Sequence, residues 1–443
     1  MDLLTLTIII AFVLGYACIA LEAVLKVNKA AVALLMFVVC WTLFMFNPGL
    51  YVTTSGGDVT HAVGDIIERH LGATSTTLFF LMGAMTIVEI VDQNGGFNFV
   101  RDALRTTGSR ALLWRITFMT FLLSAILDNL TTSIVMIMVL RKLVASRAER
   151  LVYASLVVIA ANSGGAFSPI GDVTTIMLWN MGMITAMGVI TKLLLPSLVS
   201  MVVPALLLQF TLKGNVSSVA DYDADDDDGQ LTALQRKAVF CLGVGGLIFV
   251  PVFRSLTGLP PFVGILLVLS VLWIVTEVFY SRLRLVNDNA LKRVTRLLSR
   301  IDMATILFFL GILMAVSCLE EVGVLTKLGV WLNSVSGGNH YIVTGAIGVI
   351  SSIVDNVPLV AGCMGMYPIT ATGDMATDGI FWQLLAYCAG VGGSMLIIGS
   401  AAGVVVMGLE KISFGWYLRR ITPVAFAGYV AGMLCYALEQ MLL

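Results

Sequence analysis

The sequence predicts an all-α polytopic membrane protein made of two inverted-topology repeats. Each repeat has five transmembrane spans plus one re-entrant hairpin, with broken helices at the midplane. Of the 443 residues, 58% are hydrophobic and only 12% are charged, whereas soluble domains carry about 25% charged residues. In addition, a short motif occurs twice, and the positive charges around its two copies differ sharply.

The repeated motif is a polar pair at the end of a long apolar run. Ser-Ala-Ile-Leu-Asp-Asn at 124–129 returns as Ser-Ser-Ile-Val-Asp-Asn at 351–356, with four of six positions identical. A carboxylate beside an amide is costly in hydrocarbon and is therefore usually functional. Its occurrence at two matching places indicates a transporter whose ion site lies where two internal repeats meet.

The transmembrane spans follow from hydropathy, because a crossing helix needs about 20 mainly apolar residues. Ten stretches qualify, two of them broken. They are 3–21, 30–46, 75–91, 151–185 (broken), 186–212, 238–256, 260–280, 303–319, 381–409 (broken) and 416–440.

Two further apolar regions, 111–140 and 341–369, are interrupted by the polar pairs. The second interruption continues into Pro358, which stops a helix. About half a span follows each interruption, too little to cross alone. We therefore expect two re-entrant hairpins with the polar pairs near their tips, where protein or water satisfies the irregular backbone.

Basic residues predict opposite orientations for the two hairpins. The flanks of the second hairpin hold only Lys327, whereas those of the first hold Arg101, Arg105, Arg110, Arg141, Lys142, Arg147 and Arg150. The positive-inside rule then places the ends of the first hairpin in the cytoplasm and those of the second outside. The basic segments 22–29 and 281–302 become cytoplasmic and the N-terminus external. Five spans per repeat is an odd number, so the second repeat is inverted.

Three segments result from this organisation. Residues 1–212 form the first repeat and 238–443 the second, joined by an acidic cytoplasmic linker at 213–237. The linker contains the acidic run 221–228, whose spacing does not match a calcium-binding EF-hand loop. We interpret it as a solvated connection, with pH or cation sensing as the alternative.

Oxygen-bearing side chains gather at the hairpin tips and in the broken spans. Hard cations prefer such ligands, together with the carbonyls of unwound backbone. The candidates are Asp128, Asn129, Thr131, Thr132, Asn162, Ser163, Asp172, Thr174, Thr175, Asp355, Asn356, Ser394 and Ser400. With no membrane-embedded Lys or Arg expected beside the carboxylates, the set favours a cation over an anion. Helix capping is the alternative role for each polar pair taken alone.

The same acids offer a route to proton coupling. Burial disfavours an ionised carboxylate, whereas a bound cation favours it. One carboxylate can therefore hold a proton or a metal ion, but not both comfortably. Asp128, Asp172 and Asp355 are the exchange candidates, with Asp128 and Asp172 preferred as proton carriers.

Other titratable residues are assigned peripheral positions. The three histidines, His61, His70 and His340, fall in predicted connecting segments. Glu410 lies at the end of a span, where it is expected to face headgroups or water.

At its polar motifs the chain resembles the NhaD-type sodium/proton antiporters of the ion transporter superfamily, which includes arsenite permeases and divalent-anion/sodium symporters. The resemblance covers nearly the whole chain and is most specific at 127–133, 162–165, 168–175 and 354–358. It implies exchange of external H⁺ for cytoplasmic Na⁺ or Li⁺ at alkaline pH, in pH and sodium homeostasis.

The resemblance also implies a multi-pass protein of the bacterial inner (cytoplasmic) membrane that uses no cofactor. By analogy with the superfamily, it implies a homodimer. Each subunit would have a scaffold domain and a hairpin-bearing transport domain that moves as an elevator, giving alternating access.

Other functions remain as alternatives to cation/proton exchange. A sister transporter of arsenite or a dicarboxylate is the nearest, and a channel is separated only by saturable exchange in sealed vesicles. An intramembrane aspartyl protease is disfavoured, because the chain has Pro169-Ile170-Gly171-Asp172 in place of Gly-x-Gly-Asp. The net charge of −1 gives no indication of nucleic-acid binding.

Overall fold

The structure is a computed structural model, and it describes most of the chain. The described residues are 2–20, 25–52, 59–96, 100, 103–104, 106–212, 214, 231–283, 301–353 and 355–442. Some sequence predictions lie outside these residues, namely the acidic run 221–228, most of the basic segment 281–302, and Arg101 and Arg105.

Eight α-helices are described before the linker. They are α1 (Leu3–Ala20), α2 (Lys29–Met45), α3 (Val59–Gln93), α4 (Ser109–Leu127), α5 (Asn129–Leu143), α6 (Arg147–Ala166), α7 (Val173–Asn180) and α8 (Ala186–Leu208). A 3₁₀ turn at Gln209–Thr211 extends α8.

Ten more α-helices are described after the linker. They are α9 (Ala233–Thr257), α10 (Pro261–Leu283), α11 (Met303–Glu321), α12 (Val324–Val335), α13 (His340–Ser351), α14 (Asn356–Met366), α15 (Ile380–Gly392), α16 (Ala401–Glu410), α17 (Phe414–Arg420) and α18 (Thr422–Leu442).

The described residues form helices and no β-strand, and seven of their helices are long and apolar enough to cross a membrane. Many large apolar side chains point outward, as lipid contact requires, and examples are Leu14, Leu122 and Ile274. The predicted all-α, multi-pass membrane protein is thus confirmed.

The helices break where the polar residues predicted. The first hairpin divides into α4 and α5 at Asp128, and the second into α13 and α14 just before Asn356. The two broken spans divide as α6–α7 and α15–α16. However, α6 continues through Asn162 to Ala166, so the first unwound stretch is shorter than its Gly, Ser and Pro content predicted.

The helices differ from the sequence predictions at four places. Helix α3 starts at Val59 instead of 75, and α12 was not predicted. The predicted linker ends five residues early, because Thr232 and Gln235 form a capping box that starts α9 at Ala233. The predicted span 416–440 is interrupted at Ile421, between α17 and α18.

The placement of the histidines was wrong. His61 and His70 lie inside α3, and His340 is the first residue of α13. Hydropathy measures compatibility with a membrane, so the polar first half of α3 was interpreted as a loop although it is helical. At about 1.5 Å per residue, this 35-residue helix is longer than a bilayer core.

The helices pack in two groups. Helices α1–α3 and α9–α11 pack mainly on one another, and we call them the support group. Helices α4–α8 and α13–α18 likewise pack together, and we call them the site group, because they contain both hairpins and both broken spans. Helix α14 contacts α11, so the second hairpin lies against the support group.

Corresponding contacts recur in the two halves of the site group. The Ser124 hydroxyl donates to the Ala161 carbonyl at 2.6 Å, and the Ser351 hydroxyl donates to the Ala389 carbonyl at 2.8 Å. Each bond ties a hairpin to its neighbouring broken span. The agreement supports the predicted internal repeat, whose inverted orientation stays a prediction.

Candidate ion-binding site

Four half-helices begin with an oxygen-bearing side chain that caps the first turn. The caps, each given with the residue whose backbone N–H it accepts, are Asp128 (Thr131), Asp172 (Thr174), Asp355 (Val357) and Ser400 (Gly403). The capping role that the sequence left open is therefore real. Capping also explains how an acid is tolerated at these points, since a helix N-terminus stabilises negative charge.

Asp128 holds an unusual backbone conformation at the break between α4 and α5. Its φ of 85° and ψ of 158° fall in a region used almost only by glycine. One carboxylate oxygen accepts the Thr131 backbone N–H at 2.8 Å, and the other accepts the Thr131 hydroxyl at 2.8 Å. These bonds hold the carboxylate at the start of α5, with Thr131, a predicted cation ligand, as its hydrogen-bond partner.

A buried chain of amide and hydroxyl groups connects the two halves. The Asn129 side-chain amide donates to the Asn162 side-chain oxygen at 3.1 Å. The Asn162 amide in turn donates to the Ser400 hydroxyl at 2.9 Å. The first hairpin, the first broken span and the second broken span thus meet through three predicted site residues.

Asp172 links the halves a second time. Asp172 is only 1% exposed, and its carboxylate accepts a hydrogen bond from the Asn356 side-chain amide at 3.0 Å. Its carboxylate also interacts electrostatically with those of Asp355 and Asp128. The Asp172–Asn356 hydrogen bond therefore joins the first broken span to the tip of the second hairpin.

Asp355 is paired with a lysine, contrary to the expectation that no basic residue would accompany the carboxylates. The Lys29 ammonium lies 3.2 Å from the Asp355 carboxylate and 4.3 Å from the centre of the Phe308 ring. Lys29 is the first residue of α2, so the sequence assigned it to a cytoplasmic loop. A lysine at a helix end can instead extend its long side chain towards a buried partner.

Two predicted hydroxyls have no hydrogen-bond partner among the described residues. Thr132 and Thr174 are fully buried, and their Oγ1 atoms are unpaired. A buried unpaired hydroxyl is costly. Both residues lie within four positions of a capping aspartate, Thr132 after Asp128 and Thr174 after Asp172.

Three other predicted residues have structural partners. Thr175 donates to the Asp172 backbone carbonyl at 2.9 Å, and Ser163 accepts from the Ser200 hydroxyl at 2.9 Å. Ser394 donates to the Val391 carbonyl in the turn after α15. The structure shows no bond from Ser163 or Ser394 to the three carboxylates.

Sequence reasoning missed Lys29 and also Gly390. A Cβ placed on Gly390 would lie 3.4 Å from a carboxylate oxygen of Asp172. Gly390 is part of the glycine-rich stretch of the second broken span, which gave a signal for unwinding but none for contact with Asp172.

Comparisons with known proteins identify the family. The family described as Citrate transporter matches residues 16–384. Sodium/proton antiporter 1 of Arabidopsis thaliana is 46% identical over 96% of this chain and 71% of its own length. The Na(+)/H(+) antiporter NhaD of Alkalimonas amylolytica is 31% identical over 95% of this chain and 88% of its own length.

The chain belongs to the NhaD-type antiporters.

The fold of this NhaD-type chain agrees with a solved transporter. The YdaH transporter of Alcanivorax borkumensis superposes with a TM-score of 0.59 and 14% identity, covering 92% of this chain and 98% of that one. Because its relatives are sodium/proton antiporters, the protein is a transporter and not an enzyme. Because relatives occur in a plant as well as in bacteria, the membrane in which it resides is not fixed by family membership.

Glu410 of this NhaD-type protein does not face headgroups or water, as the sequence suggested. Its side chain is 1% exposed. One carboxylate oxygen accepts a hydrogen bond from Arg141 Nε at 2.7 Å, and the other accepts one from Arg150 Nε at 2.8 Å. The two arginines come from α5 and α6, and Glu410 ends α16. Two positive groups compensate the buried charge, so this cluster ties the two halves together at the predicted cytoplasmic end.

A cavity of about 120 Å³ lies between α3, α7, α11 and α14 of the antiporter fold. It touches α7 and α14, the two half-helices whose N-terminal ends form the Asp172–Asn356 contact, and its walls include Thr77, Met177, Glu320 and Met364. His70 also lines it and contacts Glu321 at 2.8 Å, while Arg69 reaches Glu321 at 2.7 Å. The cavity therefore lies at the junction of the support and site groups and is large enough to hold several water molecules.

Proposed function

We propose that this protein exchanges cytoplasmic Na⁺, or Li⁺, for external H⁺. The observation that carries the proposal is the buried contact between Asp172 and Asn356. It brings a carboxylate of one half to the capped tip of the other half, in electrostatic contact with two further carboxylates. The sodium/proton antiporters among its relatives support the same cargo.

The proposed cation ligands are oxygen atoms at the tips and breaks. Asp172 and Asp128 supply charge, and the unpaired hydroxyls of Thr132 and Thr174 supply neutral oxygens. Sodium is a hard cation, and such cations take oxygen ligands. The remaining proposed members are Asn129, Thr131, Asn162, Ser163, Thr175, Asn356, Ser394 and Ser400. Asp355 lies beside them, in an ion pair with Lys29.

Proton and cation transport are coupled in this scheme because H⁺ and the cation compete for the same carboxylate. A proton on Asp172 or Asp128 removes the negative charge that the cation requires, and a bound cation opposes protonation. If the empty site is exposed to one side at a time, the two ions cross in opposite directions. No cofactor enters this scheme.

Transport of an anion is the second candidate, since the matching family is described as Citrate transporter. Four helix N-termini come together here, and N-termini attract anions. In this chain, however, three of them are already capped by their own carboxylates. An arsenite or dicarboxylate ion would meet this negative charge, so we favour the cation.

We further propose elevator-type alternating access with two inverted repeats. The division into a support group and a site group supports it, because the hairpins and broken spans lie together in the group that would move. The cavity beside Glu320 would form part of the external route. We also propose a homodimer in the bacterial inner membrane, on the basis of resemblance alone.

Replacement of Asp128 by Asn tests the proposed exchange. Asn caps a helix about as well as Asp, so the fold is kept while the charge is removed. In proteoliposomes with an imposed ΔpH, we expect Na⁺ and Li⁺ to dissipate the gradient in the wild type and not in Asp128→Asn. K⁺, arsenite and citrate are added in parallel.

The control is Asp65→Asn on an exposed part of α3, which should behave as the wild type. Full Na⁺ response in Asp128→Asn would reject the assignment of this residue. A wild type that responds to arsenite or citrate, and not to Na⁺, would establish the anion transporter instead.

A further inference from the structure

Lys29 brings a positive charge from the support group to the carboxylates of the site group. Its ammonium contacts Asp355 at 3.2 Å, with side-chain exposures of 26% and 18%. Asn28 caps α2 by accepting the Ala30 backbone N–H, which fixes the start of the helix that carries Lys29. The Phe308 ring lies beneath the ammonium at 4.3 Å. Backbone and ring together hold the lysine in place.

Both carboxylate oxygens of Asp355 already have partners, so this residue is poorly placed to bind a transported cation. One of its oxygens accepts the Val357 N–H at 3.3 Å, and the other faces Lys29. Asp172 and Asp128 have no lysine or arginine contact among the ion pairs of the described residues. The three acids therefore differ: among the described ion pairs, only the carboxylate at the second hairpin tip has a basic partner.

The effect of this pair reaches Asp172. The carboxylates of Asp355 and Asp172 interact electrostatically, and the residue after Asp355 donates its amide to Asp172. The positive charge of Lys29 beside Asp355 offsets part of the negative potential that a cation at Asp172 would experience. Among the described residues, the charged and titratable groups that interact with Asp355 include Lys29 on α2, Asp172 at the start of α7 and the Tyr16 hydroxyl on α1.

We propose that Lys29 is a positioning residue that acts as a fixed counter-charge. It neutralises Asp355 and keeps its carboxylate away from the transported cation, leaving Asp172 and Asp128 as the charged ligands. This inference rests on the proposed cation exchange. It makes Lys29 the residue that weakens cation binding enough to permit release.

A double-mutant cycle distinguishes this role from a merely structural one. Lys29→Gln removes the positive charge, so the Na⁺ concentration for half-maximal exchange at alkaline pH should fall, by roughly five-fold for charges separated by several ångströms. Asp355→Asn removes the negative charge and should raise it by a similar factor. The double variant Lys29→Gln/Asp355→Asn restores the balance and should return near the wild-type value.

A structural ion pair would behave differently, because loss of either partner would then impair exchange in the same direction. Lys29→Arg keeps the charge and should stay near the wild-type value. Lys192→Gln on α8 removes a distant lysine and serves as the matched control. Thermal unfolding in detergent verifies that every variant is folded.

Shifts of the same sign in both single variants, or no shift in Lys29→Gln, would overturn the counter-charge role. The wild type separates this failure from that of the proposed function. If it exchanges Na⁺ for H⁺, only the inference about Lys29 is lost. If it does not, the cation exchange itself is wrong.

Discussion

At the residue scale, the candidate ion-binding site contains buried hydroxyl groups that make no hydrogen bond to the described residues. Most buried polar groups in proteins are paired, and Thr117, for example, donates to the Leu113 carbonyl at 2.7 Å. Thr132 and Thr174 are equally buried but have no partner among the described residues. The proposed function gives these hydroxyls a partner, the transported cation.

Replacing either hydroxyl by a methyl group should therefore separate stability from activity. In Thr132→Val and Thr174→Val an unpaired buried group is removed, so unfolding in detergent should become harder by about 1 kcal/mol. The Na⁺ concentration for half-maximal exchange should rise, because an oxygen ligand is lost. Thr117→Val is the control, and it should lose stability with unchanged Na⁺ dependence. Unchanged exchange in both test variants would contradict the ligand role.

At the element scale, glycines set how closely the hairpins approach the broken spans. A Cβ on Gly164 of α6 would collide with the Phe121 carbonyl of α4. In the other half, a Cβ on Gly392 of α15 would collide with the Gly348 carbonyl of α13. Small residues allow such close helix contacts in membranes. The two halves thus use the same device at corresponding places.

Alanine at either glycine should push hairpin and span apart. We expect Gly164→Ala and Gly392→Ala each to lose about 1–3 kcal/mol of stability through overpacking, together with most of the exchange activity. Gly408→Ala in α16 meets no atom within 4 Å and is the control. It should be neutral or slightly stabilising, since Ala favours a helix. Equal melting temperatures for all three would contradict the close approach.

At the scale of the whole molecule, two ends of the site group differ in charge. The arginines around Glu410 lie at the predicted cytoplasmic end. The opposite end contains the turn between α14 and α15, where Asp378 accepts the Thr185 backbone N–H at 2.7 Å and Asp374 contacts His340 at 2.9 Å. The positive-inside rule assigns these ends to opposite sides of the membrane.

Cysteine labelling tests this sidedness. In a parent with the exposed Cys241 changed to Ser, a membrane-impermeant maleimide should label Ala148→Cys only in inside-out vesicles and Thr372→Cys only in right-side-out vesicles. Both positions are exposed, so access depends on the membrane. Labelling of both from the same side would refute the inverted orientation of the repeats.

Local sequence signals anticipated the breaks, and packing determined the rest. Asp128 and Asp172 were found because a polar residue in an apolar run is conspicuous, and both cap a half-helix as their residue type favours. The pairing of Asp172 with Asn356 joins positions 184 apart, which hydropathy and charge cannot specify. Lys29 was missed for a related reason, since its position at a helix end concealed the direction of its side chain.

The backbone at Asp128 has a consequence for how this family diversifies. Only glycine adopts that conformation without strain, and an aspartate there costs about 1–3 kcal/mol. Selection for stability alone would replace Asp128 by glycine, because glycine relieves the backbone strain without changing the hairpin. An aspartate persists at this position only while its charge is under selection. We therefore expect a homologue with glycine at this position to keep the fold but to have lost the proposed cation transport.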